Sequence, residues 1–284
     1  MATATAPRLN LRRPSVIPGF GITLGLTLSW LGVIVLLPLS ALFIKTSEIS
    51  FERFIAIVTS ARTLHALQVS FGLSLAAAFI NLVFGAIVVW VLVRYDFPFK
   101  RVIDALIDIP FALPTAVAGI ALTALYAENG WVGSLLAPLG IQVSFTPLGI
   151  LVALVFIGLP FVVRTVQPVL EDLDAELEDA AASLGASRSQ TIWRVLLPSI
   201  WPALLTGFAL AFARAVGEYG SVIFIAGNLP GISEIAPLLI VIRLEEFRYA
   251  DATAIASVML VASFALLLVI NRLQRWSESR GRQA

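Results

Sequence analysis

Residues 66–93 read ALQVSFGLSLAAAFINLVFGAIVVWVLV, twenty-eight positions without a charge. A helix needs about 20 apolar residues to cross a hydrocarbon core of ~30 Å. Lipid offers backbone N–H and C=O groups no partner, so such a run must be a helix or part of a closed barrel. Barrel strands alternate in polarity over about ten residues, whereas this stretch is apolar on every face. It predicts a membrane-spanning helix.

Five further windows share its character: 17–44, 105–127, 147–163, 198–227 and 252–271. The six together hold three charges, Asp108, Arg214 and Glu218, and the other 34 charged residues lie outside them. Only 13% of the 284 residues are charged and 59% are apolar, against about 25% charged in an ordinary soluble domain. That supply cannot cover one soluble core. The expected fold is all-α: a polytopic membrane protein with six transmembrane helices.

The first window follows Arg8, Arg12 and Arg13 but exceeds the h-region of a signal peptide, and no convincing small-residue cleavage site follows. It reads as a retained first span. The fourth is short, and Phe145, Thr146 and a snorkelling Arg164 extend it. Lys and Arg set the orientation. With the N-terminus in the cytoplasm, the inside segments carry Arg8, Arg12, Arg13, Arg94, Lys100, Arg101, Arg164, Arg188, Arg194, Arg272, Arg275, Arg280 and Arg282. The outside carries Lys45, Arg53, Arg62, Arg243 and Arg248. Thirteen against five puts both termini in the cytoplasm.

Several functions are excluded. Without Cys there is no disulfide framework, thiolate zinc site, iron–sulfur cluster or cysteine nucleophile. One histidine, His65, argues against a His-based metal site or a Ser-His-Asp triad, and its place at the start of the second span reads as structural. A net charge of +1 gives no field suited to nucleic acid. The chain has no low-complexity stretch, linker or repeat. It divides into a tail (1–16), a first span with its outer segment (17–63), a core (64–272) and a second tail (273–284).

The loops differ in character. In 46–63, Phe51, Phe54, Ile55 and Val58 recur at helical spacing, suggesting an interfacial amphipathic helix. The segment 128–130 is a turn by composition, and 228–251 is polar and partly helical. The long inside loop, about 170–198, is more informative. Leu173, Leu177, Ala180, Ala181 and Leu184 give one apolar face on an otherwise acidic helix. Asp172 or Asp174 can cap its start, and Gly185 stands where a left-handed cap would end it. Ser187 and Gln190 fit a capping box opening a second short helix, and Pro198 then begins the next span. Two readings stand: a helix resting on lipid headgroups, which its acidic face opposes, or a docking element for a soluble partner.

The pattern Asp179-Ala180-Ala181, three residues, Gly185, nine residues, Val195, one residue, Leu197-Pro198 resembles the E-A-A-x3-G-x9-I-x-L-P loop of binding-protein-dependent ABC importer permeases. Asp179 replaces Glu with a shorter reach, and Val195 replaces Ile. Further stretches, DIPFALPTAVAG at 108–119, NGWVG at 129–133 and ARAVGEYG at 213–220, look like the T-type sulfate/thiosulfate permeases, with molybdate/tungstate permeases as the near alternative. The resemblance implies a type I ABC importer permease fold in a bacterial-type inner membrane. It also implies that Asp179, Ala180, Ala181, Gly185, Val195, Leu197 and Pro198 couple to a separate ATPase. The partners it implies are two ATPase copies that bind ATP and Mg, a W-type sister permease and a periplasmic sulfate/thiosulfate-binding protein. No cofactor is expected in this chain.

Within the membrane, Arg214 and Glu218 are i, i+4 on the fifth window and share a face. Two readings stand for them as well: a mutual ion pair holding helices together, or an arginine that meets the anion in transit. Thr115 and Ser221 are candidate hydroxyls on the same path. Asp108 reads as a surface charge at the inner end of the third span. Pro110 and Pro114 break or kink that span, either for packing or to expose backbone groups to a cavity. The GxxxG of Gly21 and Gly25 reads as close packing. Two other classes fall away. A secondary anion transporter would carry more ionisable or unwound midplane sites, and the serine at 233 has no route to His65 for an intramembrane protease. No G-x4-G-K-[ST] phosphate loop is present, so the energy source lies outside this chain. The chain reads as a translocating subunit, not an enzyme.

Overall fold

The computed structural model describes residues 19–173 and 176–281. The tail at 1–16, the capping role of Asp174 and the last three residues lie outside them. Among the described residues every regular element is helical. In chain order these are α1 (Phe20–Ser47), α2 (Phe51–Val58), α3 (Ala61–Arg94), α4 (Lys100–Ile107), α5 (Thr115–Tyr126), α6 (Pro147–Glu171), α7 (Glu176–Ser183), α8 (Arg188–Val216), α9 (Ala236–Glu245) and α10 (Tyr249–Gly281), with single turns between them. Five of them, α1, α3, α6, α8 and α10, are long and apolar enough to cross a membrane.

The third window, 105–127, is not one helix. It is α4, a turn at Ile109–Ala112, and then the twelve-residue α5. The break falls where Leu113 precedes Pro114. A residue before proline is pushed out of the helical region, and Leu113 is extended at φ −82°, ψ 135°. The fifth window also differs from expectation. Its helix stops at Val216, and Gly217 to Ser221 form a tight turn before a short turn at Val222–Ile225.

Pro198 does not begin a span. The second loop helix and the fifth span are one continuous helix, α8, and Pro198 lies inside it. A mid-helix proline clashes with the carbonyl four residues back and removes a hydrogen bond. The helix answers with a wide π-turn at Ile192–Leu196, closed by Leu197 N–H donating to Ile192 O. α1 does the same at Gly32–Leu36, ahead of Pro38. Both sites read Val-Leu-Leu-Pro.

The core is the α3–α6–α8 bundle, the most extensively packed set of helices in the chain. Association in lipid depends on close van der Waals contact through small residues. Here Gly85 and Gly207 both press on Val162, while Gly158 faces Asn81 and Ala211. Phe212, Val163, Val166 and Leu170 fill the space around them. α1, by contrast, buries none of its residues and touches α10, where Thr46 and Ser257 share a hydrogen bond.

Arginines tie the end of the bundle remote from the 170–198 loop. Arg62 donates through Nε and Nη2 to the buried carboxylate of Glu234 at 2.8 and 2.6 Å. Arg248 pairs with buried Asp251, and Arg243 with Glu246 at 2.6 Å. The hydrogen bond from Arg243 holds the Glu246 carboxyl below the usual carboxylate range. The interfacial helix expected in 46–63 is α2, capped by Ser50.

Candidate functional site

Two places collect the residues singled out from sequence. The first is the 170–198 loop. α6 ends at Glu171, whose following residue, Asp172, caps the end of α6 and not the start of α7. α7 closes in a Schellman arrangement: Ala186 N–H donates to Ala181 O at 3.0 Å and Gly185 N–H to Ala182 O at 2.9 Å. Gly185 sits at φ +80°, which costs a side-chain-bearing residue steric strain. Two residues on, Ser187 and Gln190 form a complete capping box, with the Ser187 N–H on Gln190 Oε1 at 2.8 Å. The backbone between the helices is thus satisfied on both sides of the bend. The knuckle has a fixed angle.

Its surface is amphiphilic. Asp179 and Ala180 are exposed, Ala181 is buried, and Glu178 reaches Arg94 at the end of α3 at 2.8 Å. Leu184 is 88% exposed and Trp193 67%. Leu177, Ala180, Ala181, Leu184 and Val195 line an open groove of about 540 Å³ with Gly185 and Arg194 at its edges. Val195 belongs to the π-turn, and Leu197 and Pro198 follow it in α8.

The second place lies at the far end of α8. Arg214 Nη1 meets Glu218 Oε2 at 2.5 Å. Glu218 stands just past the helix end, so the i, i+4 spacing spans a cap and not a continuous face. Its carboxylate is 2% exposed, and its other oxygen accepts the Ser221 N–H at 2.9 Å and Oγ–H at 3.0 Å. A buried carboxylate holding an arginine and two further donors is well compensated. The Arg214 side chain is 34% exposed. Thr115 completes the group, because a Cβ on Gly220 would lie 2.2 Å from Thr115 Oγ1. A Cβ on Gly119 would lie 2.3 Å from the Ser221 carbonyl oxygen. The structure therefore brings Thr115, Arg214, Glu218 and Ser221 together by laying the 217–221 turn directly on the start of α5.

That close approach has a measurable consequence. The obstacle at Gly119 is backbone, which cannot swing aside, so Gly119→Ala should cost about 1–3 kcal/mol by overpacking. The expected result is a lower melting temperature of the detergent-purified protein; an unchanged value would show that the turn does not bear on α5.

Asp108 is half-exposed, as a surface charge would be, but it is paired, and Arg164 is not a snorkelling terminal residue. Arg164 lies inside α6 and pairs with Asp104 and Asp108 at 2.6 and 2.7 Å. The i, i+4 carboxylates at 104 and 108 were the available signal. Asn81, 1% exposed with neither amide atom partnered, also escaped the sequence reading. Among the described residues no cluster of His, Asp and Glu could hold a metal.

Residues 83–283 match the model of a protein family described as the binding-protein-dependent transport system inner membrane component. The chain belongs to this family. It is a multi-pass inner-membrane permease, a translocating and non-enzymatic subunit of an ABC transporter. The sulfate transport system permease protein CysT of Synechococcus elongatus is 52% identical over 275 residues, covering 95% of this permease and 98% of that protein. The Escherichia coli protein of the same name is 49% identical over 259 residues, or 91% and 94%. Among solved structures, a chain of a bacterial alginate ABC transporter in complex with its alginate-bound periplasmic protein superposes with a TM-score of 0.73. The identity is 19%, and the match covers 90% of this permease and 93% of that chain. An inward-facing MetNI methionine transporter chain gives 0.56 at 17% identity, over 81% and 99%. These structural likenesses establish the fold.

Proposed function

We propose that this permease moves sulfate and thiosulfate across the inner membrane, driven by ATP hydrolysed in a separate subunit. The observation that carries the drive is the fixed knuckle at 176–198. It presents Asp179, Ala180, Leu184 and Trp193 outward from a bend whose backbone is fully satisfied, and it runs without interruption into the membrane helix α8. A push on such an element is passed on as a tilt. Two ATPase copies, binding ATP and Mg, engage this loop and that of a W-type sister permease, and a loaded periplasmic receptor delivers the anion. The CysT relatives support sulfate over molybdate or tungstate as cargo. ATP closure shifts the permease pair between two states, which is the only role the cargo's energetics require of this chain.

Arg214 is the residue that meets the anion. Its charge is offset by Glu218, so contact with a dianion is favourable yet weak enough for release, as a conducting path requires. Thr115 and Ser221 flank it.

Purification in mild detergent, followed by mass spectrometry of co-purifying chains and a sulfate-stimulated ATPase assay with the receptor, tests the reading. An ATPase, a second permease and stimulation by sulfate are expected. Uptake of sulfate by this chain alone would overturn it. In the orientation proposed, with the loop and both termini cytoplasmic, Ser187→Cys should react with an impermeant maleimide only after cells are permeabilised. Labelling of intact cells would reverse the topology.

A further inference from the structure

Arg164 is embedded in α6, seven residues before that helix ends, yet every one of its five N–H donors is used. Nε and Nη2 grip the two oxygens of Asp108 at 2.8 and 2.7 Å. Nη1 donates to Asp104 Oδ1 and to Gln167 Oε1, both at 2.6 Å, and Nη2 also donates to the Asp104 carbonyl at 2.8 Å. Bidentate arginine–carboxylate contacts fix direction as well as distance. One turn away, Phe111 meets Phe161 edge-on with ring centroids 5.1 Å apart. α6 thus holds the segment from Asp104 to Phe111 at two successive points.

What is held matters because of its two neighbours. In one direction α6 continues from Arg164 to Glu171, and five residues later α7 begins the knuckle. In the other, the clamped segment passes through Leu113 and Pro114, both extended, to Thr115 against Gly220. The clamp fixes the segment just before the helix break, and the extended Leu113–Pro114 link, its proline φ locked by the ring, joins that segment directly to α5. A gripped segment joined by so short and constrained a link passes on its displacement.

We infer that Arg164 is a positioning residue for transport, delivering the movement of the 170–198 loop to the Asp108–Pro114 break and so to the 217–221 turn that carries Glu218, the partner of Arg214. This rests on the proposed function for the source of that movement. A residue that only stabilised the fold would change transport and ATPase together. A positioning residue changes their ratio.

The test uses the complete transporter in proteoliposomes, with sister permease, ATPase and receptor, and reads sulfate transported per ATP hydrolysed. Arg164→Gln and Asp108→Asn should each lower that ratio by at least about fivefold, in the range by which single residues modulate coupling. Receptor-stimulated ATPase, subunit co-purification and the half-saturating sulfate concentration should stay as in the wild type. Arg164→Lys, which keeps charge but not the bidentate grip, should fall between. A wild-type ratio in Arg164→Gln, or a loss of ATPase and assembly in parallel with transport in both variants, overturns the inference. Failure of the proposed function is separately visible, because the wild-type complex would then show no ATP-driven uptake.

Discussion

Gly185→Val should separate ATP hydrolysis from sulfate uptake more completely than any other single change in the 170–198 loop. The reason is conformational. A Cβ built on Gly185 meets nothing within 4 Å, so crowding is not the cause. The backbone is at φ +80°, a region a β-branched residue adopts only as an outlier. Valine would move the residue to negative φ and open the Schellman bonds from Ala186 to Ala181 and from Gly185 to Ala182. The angle between α7 and α8 would then change, while the capping box that starts α8 and the membrane spans remain. Insertion should be normal, and labelled-sulfate uptake per ATP should fall by about tenfold or more, the equivalent of ~1.4 kcal/mol of lost coupling. Asn, which tolerates the left-handed region, serves as the control and should retain most of the uptake. Wild-type uptake in the valine variant would mean that the bend does not couple.

Hydropathy located the spans because lipid acts on every residue of a crossing helix alike. It could not locate their ends. Residues 217–227 belong to the same apolar window as 198–216, yet the helix stops at Val216 and the Glu218 carboxylate collects Ser221 N–H and Oγ–H across the turn that follows. That exchange is visible only once folded. Pro198 illustrates the opposite case. Local chemistry favours proline at a first turn, but the π-turn at Ile192–Leu196 makes an interior proline equally tolerable, and nothing in single-residue propensity separates the two. The knuckle was legible in detail, Gly185 and the Ser187–Gln190 box included, because its geometry is set by neighbours in sequence. At the intramembrane site, Arg214, Glu218 and Ser221 were legible for the same reason. The approach of Thr115 depends on Gly220 meeting Thr115 and Gly119 meeting Ser221 across about a hundred residues, and the Arg62–Glu234 pair spans 172. Arg164 was misread because a charge near a window's edge looks like a snorkelling terminus until a partner is seen.

Neutralising Arg214 and Glu218 together should separate the two meanings their pairing can have. Arg214→Gln alone leaves a carboxylate that is 2% exposed without its cation, a loss of about 3–5 kcal/mol for a buried pair broken on one side. Low uptake in that variant is expected on either meaning, through instability or through loss of the cation the anion meets. Glu218→Gln should be milder for the fold, since Ser221 can still donate to the amide oxygen. It exposes an uncompensated guanidinium, which should hold the dianion longer and slow its release. The double variant, Arg214→Gln with Glu218→Gln, removes both charges and keeps a hydrogen-bonding group at each position. With neither charge left, no buried carboxylate lacks its cation, so the double variant should melt closer to the wild type than Arg214→Gln does. Its sulfate uptake should nevertheless stay at least about tenfold down, with assembly and basal ATPase intact, because the cation on the path is gone. Uptake restored alongside stability would make the pair a strut between helices and remove Arg214 from the route of the anion.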